Sequence, residues 1–102
     1  MMNVVAAIIK KENQFLIVQR NRNKHLGLKW EFPGGKVQES EIFEKALLRE
    51  IKEELNITIN IHEKIVEEKY KDDKIDIYLH YYLCSHKSGI MQLIPLCRLF
   101  LS

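Results

Sequence analysis

Hydrophobic and polar positions along the chain follow two kinds of pattern, one typical of β-strands and one typical of an α-helix. These patterns predict where the strands and the helix lie. Residues 4–9 (VVAAII) are a continuous apolar run rich in β-branched side chains, which predicts a buried strand. Residues 14–20 (QFLIVQR) follow a polar turn and are expected to pair with that strand as a hairpin. The polar residues 21–29 predict a loop.

A short strand and a helix are predicted in the middle of the chain. Residues 30–32 (WEF) predict the strand, and residues 33–35 (PGG) predict a turn that ends it. From Ile42 the apolar positions recur every four residues, which predicts one amphipathic helix of about fourteen residues. Asn56 follows it, and asparagine readily adopts the left-handed conformation in which helices end. The core face of this helix would hold Phe43, Leu47, Ile51 and Leu55.

The second half of the chain alternates as strands do. Residues 57–61 (ITINI) and 74–84 alternate between apolar and polar positions, and the segment 70–74 predicts the turn of a hairpin. The order of elements predicts a mixed α+β sheet with the helix packed on one face. Residues 90–102 are apolar, contain Pro95 and match neither period. One face of the second strand would hold Ile75, Ile77, Leu79, Tyr81 and Leu83.

Composition and charge exclude several classes of protein. The 102 residues suit a single domain, residues 1–102, with 46% hydrophobic and 29% charged residues. A net charge of +2 without a basic run argues against a nucleic-acid polymer or a membrane surface as partner. Residues 1–9 lack the features of a signal peptide, and no apolar run reaches the length of a membrane span. Because Cys84 and Cys97 have no CxxC spacing, we expect reduced thiols in a cytoplasmic protein, with a disulfide as the alternative.

Three glutamates form a stripe on the predicted helix. At about 100° per residue, Glu50, Glu53 and Glu54 fall within an arc of roughly 100° that adjoins the apolar face. Crowded carboxylates repel each other, so a cation among them makes the best physical sense, and oxygen ligands favour Mg²⁺ or Mn²⁺ over zinc. Arg49 lies one turn from Glu53 and is placed to hold its carboxylate. The competing interpretation is that a glutamate-rich helix merely keeps the protein soluble.

The spacing of these residues resembles the Nudix box, G-x5-E-x7-R-E-U-x-E-E-x-G-U, in which U is an aliphatic residue. The box covers residues 35–57, and residues 30–37 (WEFPGGKV) resemble the segment that opens it in MutT-like members of the family. Asn56 replaces the second glycine of the box, and it can serve because that glycine ends the helix. The positions that match are Gly35, Glu41, Arg49, Glu50, Ile51, Glu53, Glu54 and Ile57.

The resemblance implies a fold, a reaction and a metal ion. It implies a Nudix fold and Mg²⁺-dependent hydrolysis of a (deoxy)nucleoside triphosphate to the monophosphate and pyrophosphate, of the nucleotide-sanitising or CTP pyrophosphohydrolase type. In the family the metal is held by carboxylates that match Glu50, Glu53 and Glu54, and by a backbone carbonyl of the turn at Gly34. The same resemblance makes Glu53 the general base and gives Arg49 the role of orienting it.

Further residues are implied to bind the nucleotide. Lys36 would neutralise phosphate charge, and Arg20 and His25 would contact the nucleotide. Glu31 and Phe32 would line the pocket of the base. From the residues alone, Arg20 could equally cap a strand and His25 could be an ordinary loop histidine.

The C-terminal part departs from the family pattern. MutT-like enzymes usually continue with a strand, an acidic residue and a second helix, and residues 90–102 do not resemble that region. We therefore expect the second helical layer of the fold to be missing. Two alternatives to an active hydrolase follow: a catalytically impaired nucleotide-binding module, and a structural homodimer assembled through residues 93–101. Residues 90–101 would either fold back within the chain or meet a second copy, and we favour the homodimer.

Overall fold

The computed structural model describes residues 1–11, 14–19, 30–91 and 98–101. No helix in this part of the chain is long and apolar enough to cross a membrane. In chain order its elements are β1 (Met2–Lys11), β2 (Gln14–Gln19), β3 (Trp30–Glu31), β4 (Gly34–Lys36), α1 (Phe43–Leu55), β5 (Thr58–Lys71), β6 (Asp76–Ser88) and β7 (Arg98–Leu101).

Strand β1 lies at the centre of a mixed sheet. It pairs in parallel with β6, from Met2 opposite Ile77 to Ile9 opposite Cys84, and antiparallel with β4. Strand β5 pairs antiparallel with the other side of β6. Strand β2 pairs with β1, β3 and β7. Within the described residues, a mixed sheet with one helix on its face confirms the predicted α+β class.

Helix α1 packs on the sheet through its predicted core face. Leu47, Ile51 and Leu55 are fully buried, and Phe43 is half-buried at the first turn. Burial of each leucine-sized side chain contributes about 1.5–3 kcal/mol, so this face fixes the helix against β1, β4 and β5. Asn56 ends the helix in the left-handed conformation, with φ 59° and ψ 32°, which confirms the prediction for this residue.

The predicted turn at residues 33–35 is confirmed only as a bend at Pro33, because Gly34–Lys36 forms strand β4. A side chain at Gly34 would place its Cβ only 1.9 Å from the backbone oxygen of Val5. Glycine therefore allows β4 to pair closely with β1. Pro33 continues the pairing, since its carbonyl accepts the Ala7 N–H at 2.8 Å.

The β5–β6 hairpin is longer than the alternation of residues 57–61 and 74–84 predicts. Residues 62–71 of β5 are exposed and mostly charged, and register shifts interrupt their pairing with β6. An exposed strand has no buried face, so it leaves no hydrophobic period in the sequence. Asp72 closes the turn, because its Oδ1 accepts the N–H groups of Lys74 at 2.7 Å and Ile75 at 2.8 Å.

The two faces of β6 have different surroundings. His80, Tyr82 and Cys84 are buried on the face that α1 covers. The apolar set predicted to share one face lies half-buried on the opposite face, at Ile77, Leu79, Tyr81 and Leu83.

Strand β7 shows where part of the C-terminal segment lies. Arg98–Leu101 pairs antiparallel with β2 of the same chain. This part of residues 90–101 thus folds back within the chain, as the first of the two predicted alternatives requires. Residues 92–97 lie outside the described residues, and the homodimer stays a prediction.

Candidate active site

The carboxylate stripe of α1 lies along the flank of the helix that faces strand β4. Glu50 and Glu54 are half-buried, whereas the side chain of Glu53 is 60% exposed. Helical spacing places Glu50 beside the core position Leu47 and Glu54 beside Ile51, whereas Glu53 lies further round the helix towards solvent. The stripe therefore stands at the boundary between the packed core and solvent.

Arg49 holds this region together with a fork of hydrogen bonds. Its Nε donates to Glu41 Oε2 at 2.8 Å, and its Nη2 donates to Glu41 Oε1 at 3.0 Å. Nη1 donates to Glu50 Oε1 at 2.7 Å, and Nη2 also reaches the Lys36 carbonyl at 3.0 Å. A two-pronged arginine–carboxylate contact of this kind is both strong and geometrically specific.

The charges within this fork stabilise each other. The hydrogen bond from Arg49, followed by one from the Gln38 N–H, lowers the pKa of Glu41 to about 2. Hydrogen bonding to Glu41 in turn raises the pKa of Arg49 above its usual value. Both groups are therefore fully charged at neutral pH, and neither is suited to exchange protons with a substrate.

Glu53 is held more loosely than the other carboxylates that Arg49 contacts. Its two oxygens lie 3.3 and 3.5 Å from Arg49 Nη1. The arginine thus reaches Glu53 as the sequence predicts, but its shortest bonds go to Glu41 and Glu50. Glu41 is the partner that we did not assign to the site. The signal for it was its place in the box, eight residues before Arg49 and outside the helix.

Gly35 brings the helix and strand β4 together. A Cβ at this position would lie 1.8 Å from Glu50 Oε2, so only glycine leaves room for the carboxylate. Glu50 is therefore packed against the backbone of β4, beside Gly34. The contact with Gly35 thus places Glu50 one residue away from Gly34, the predicted metal-site position on β4.

The oxygen donors of this region fit a hard divalent cation. Among the described residues, no three His, Cys, Asp or Glu side chains are grouped closely enough to form a ready-made metal cage. Mg²⁺ usually takes only one or two protein carboxylates and completes its shell with water and substrate phosphates. Glu50 against β4, with Glu53 and Glu54 on the same stripe, suits that mode of binding in its chemistry.

The other predicted site residues lie around β3 and β4. Lys36 is exposed on β4, and Glu31 is exposed at the end of β3. Phe32 is half-buried and meets the ring of Tyr81 edge to face, with centroids 6.3 Å apart. Arg20 and His25 lie outside the described residues, so their predicted roles stay predictions.

Comparison with known proteins identifies the family. Residues 1–94 match the description of the NUDIX domain. The chain belongs to the Nudix family. Over 92 residues this Nudix chain is 35% identical to the CTP pyrophosphohydrolase of Escherichia coli strain K12, covering 90% of the chain and 68% of the relative. Over 59 residues it is 44% identical to the 8-oxo-dGTP diphosphatase of Proteus vulgaris, covering 57% of the chain and 53% of that relative.

Solved structures agree with this assignment. The crystal structure of a MutT NUDIX hydrolase from Burkholderia pseudomallei matches with a TM-score of 0.87 at 24% identity, covering 97% of the chain and 81% of that protein. This likeness shows the fold. The solution structure of MutT from methicillin-resistant Staphylococcus aureus 252 matches with a TM-score of 0.71 at 37% identity, covering 88% of the chain and 69% of that protein. With relatives of these kinds, the protein is a Nudix hydrolase.

Proposed function

We propose that this Nudix hydrolase converts a (deoxy)nucleoside triphosphate to the monophosphate and pyrophosphate, with Mg²⁺ as its metal ion. The observation that supports this most is the set of hydrogen bonds from Arg49. They hold the carboxylate stripe of α1 against Gly34 and Gly35 of β4, which we call the glycine edge. Phosphoryl transfer depends mainly on positioning and charge neutralisation, and such an edge offers both. The named relatives act as a CTP pyrophosphohydrolase and an 8-oxo-dGTP diphosphatase.

The metal ligands in this proposal come from two elements. The carboxylates of Glu50, Glu53 and Glu54 on α1, with the backbone carbonyl of Gly34 on β4, would hold Mg²⁺, and Mn²⁺ shares the same preference for oxygen. When bound, the ion polarises the phosphoryl oxygens and lowers the pKa of a bound water. Arg49 keeps Glu50 in place through its 2.7 Å bond. The fork to Glu41 keeps Arg49 itself in one orientation.

Glu53 is the best candidate for the general base. Glu50 is committed to a short bond with Arg49, and Glu41 has a pKa of about 2, which makes it a poor proton acceptor. Glu53 has the exposed carboxylate and only long contacts to Arg49. It can therefore accept a proton from the attacking water as the new bond to phosphorus forms and the pyrophosphate leaves.

The substrate would lie across strand β4. The Lys36 ammonium is exposed on this strand and would neutralise phosphate charge. Phe32 and Glu31, which are separated from this strand by Pro33, would contact the base. The same proposal keeps Arg20 and His25 as nucleotide contacts.

Product analysis tests this function. The protein is incubated with Mg²⁺ and a panel of ribo- and deoxyribonucleoside triphosphates that includes CTP, dGTP and 8-oxo-dGTP, and pyrophosphate and phosphate are measured separately. We expect equal amounts of monophosphate and pyrophosphate from the preferred nucleotide. Single phosphate as the first product would contradict the proposed reaction. Tight nucleotide binding without any hydrolysis would instead indicate the nucleotide-binding module.

A further inference from the structure

Tyr81 lies on the face of β6 that α1 does not cover. Successive side chains of a strand point to opposite faces, so Tyr81 faces away from His80 and Tyr82, which are buried beneath α1. Its half-buried ring meets the ring of Phe32 at an interplanar angle of 81°. The two rings form an aromatic pair on a face that the helix leaves accessible.

This aromatic pair is close to the glycine edge of the site. Ala6 of β1 lies opposite Gly34 on one side and opposite Tyr81 on the other. Because neighbouring strands are about 4.8 Å apart, the backbone of Tyr81 is roughly 10 Å from that of Gly34. Phe32 lies two residues before Gly34 in the chain. A group stacked on the Tyr81 ring beside Phe32 is therefore close enough to belong to the same ligand as phosphates held at β4.

Carboxylates flank the aromatic pair. Glu68 is exposed on β5 opposite Leu79, which places it on the same face as Tyr81 and diagonal to it. Burial raises the pKa of Tyr81, and the negative charges of Glu68 and Glu31 raise it further. An ionised carboxylate accepts hydrogen bonds and donates none. Glu68 thus adds an acceptor to the edge of an aromatic surface.

We infer that Tyr81 and Glu68 select the base of the nucleotide. The base stacks on the Tyr81 ring beside Phe32, and Glu68 accepts a hydrogen bond from an exocyclic amino group, such as that of cytosine. A carbonyl oxygen in its place, as in uracil, turns a lone pair towards the carboxylate and is disfavoured. This inference rests on the proposed function for the placement of the phosphates. Neither residue belongs to the Nudix box.

Binding of non-hydrolysable nucleotides tests the inference without requiring catalysis. Dissociation constants with Mg²⁺ are measured for the α,β-methylene analogues of CTP and UTP, which differ in the amino or oxo group of the base. We expect the wild-type protein to prefer the cytosine analogue by about tenfold, in line with one good contact to a base edge. Glu68→Lys exchanges an acceptor for a donor and should abolish or reverse this preference.

Matched variants separate base recognition from general effects of charge and folding. Glu67→Lys makes the same change of charge on the same strand, opposite His80 and so on the face of the sheet that α1 covers, and should strengthen the binding of both analogues equally without changing the ratio of their dissociation constants. Tyr81→Ala should weaken the binding of both analogues by about tenfold, because stacking on the ring is lost. Tyr78→Ala, on the opposite face of β6, should leave the binding of both unchanged.

Each result bears on one of the two proposals. An unchanged ratio in Glu68→Lys, a wild-type preference for the uracil analogue, or an equal effect of Tyr78→Ala and Tyr81→Ala would overturn the inference. Absence of any nucleotide binding would overturn it together with the proposed function. The predicted preference without hydrolysis of any nucleotide in the panel would leave the inference standing and contradict the proposed function alone.

Discussion

Arg49 joins helix α1 to strand β4 and to the segment that connects them. Its guanidinium contacts Glu41 before the helix, Glu50 on the helix and the carbonyl of Lys36 on β4. Arginine suits this position better than lysine, because its planar fork donates in several fixed directions at once. The side chain therefore acts as a positioning residue for the stripe, and its direct contact with Glu53 is the weakest of the set.

The low pKa of Glu41 leads to a prediction about pH and stability. A carboxyl whose pKa is lowered to about 2 in the folded protein adds stability above its ordinary value of 4.5, and this contribution is lost as the pH falls through about 2. Replacing Glu41 by Gln should thus lower the urea midpoint at pH 7, and by the same amount at pH 5. The difference from wild type should shrink below pH 4.5. An equal difference at pH 3 and pH 7 would show that the charge of Glu41 is not the cause.

The two glycines of β4 should respond differently to alanine. At Gly34 the added Cβ would meet the backbone of Val5, which cannot move without disturbing β1, so Gly34→Ala should lower the free energy of unfolding by about 1–3 kcal/mol. At Gly35 it would meet the carboxylate of Glu50, which can rotate away. Gly35→Ala should therefore fold well but lower activity or metal affinity by about 10- to 100-fold.

Thermal unfolding and Mg²⁺ titration of activity distinguish these two effects. A Gly35→Ala protein with normal activity and an unchanged Mg²⁺ requirement would mean that the position of Glu50 does not matter. A Gly34→Ala protein of unchanged stability would contradict the close contact between β4 and β1.

Among the elements, helix α1 ends at an asparagine where the family pattern has glycine, and the helix end keeps its left-handed conformation. Asn56 adopts φ 59° where the box has glycine, and its N–H donates to the Lys52 carbonyl at 3.0 Å. Left-handed backbone costs residues other than glycine about 1–2 kcal/mol, and asparagine less than most. The helix therefore ends in this conformation without the second glycine of the box.

Substitution of Asn56 checks this interpretation of the helix end. Asn56→Gly should leave stability unchanged or slightly higher, and Asn56→Ala should lower it by about 1 kcal/mol. The same change to alanine at Asn60, which is exposed in the extended strand β5, serves as the control and should have little effect. Equal losses at both positions, measured by urea unfolding, would contradict a special role for the left-handed conformation.

The elements also show how far the sequence predicts this fold. The buried positions of α1 and the apolar run of β1 are predictable, because burial on one side imposes a period that can be recognised. Strand β4 is not, because its glycines resemble a turn and are required by contacts with Val5 and Glu50. The outer half of β5 is exposed and charged, so its strand depends on pairing with β6 rather than on a pattern of its own.

In the molecule as a whole, the sheet separates the carboxylates of α1 from the aromatic pair. The carboxylates of α1 lie over one face, and the pair of Phe32 and Tyr81 lies on the other, with β4 at the edge between them. Motif spacing predicts the first group, because its members follow one another on a helix. It does not predict Tyr81, whose neighbours Phe32 and Ala6 reach it only through the pairing of distant strands.

Activity of the Glu53→Gln variant is the most direct test of the central claim, that the carboxylate stripe of α1 is the catalytic centre. Its kcat for the preferred nucleotide with saturating Mg²⁺ is compared with that of Glu44→Gln, which removes an exposed carboxylate from the same helix on the flank beside β5. We predict a loss of about 100-fold or more in Glu53→Gln and wild-type activity in Glu44→Gln, with both proteins folded. Wild-type activity in Glu53→Gln, or equal losses in the two variants, would contradict the claim.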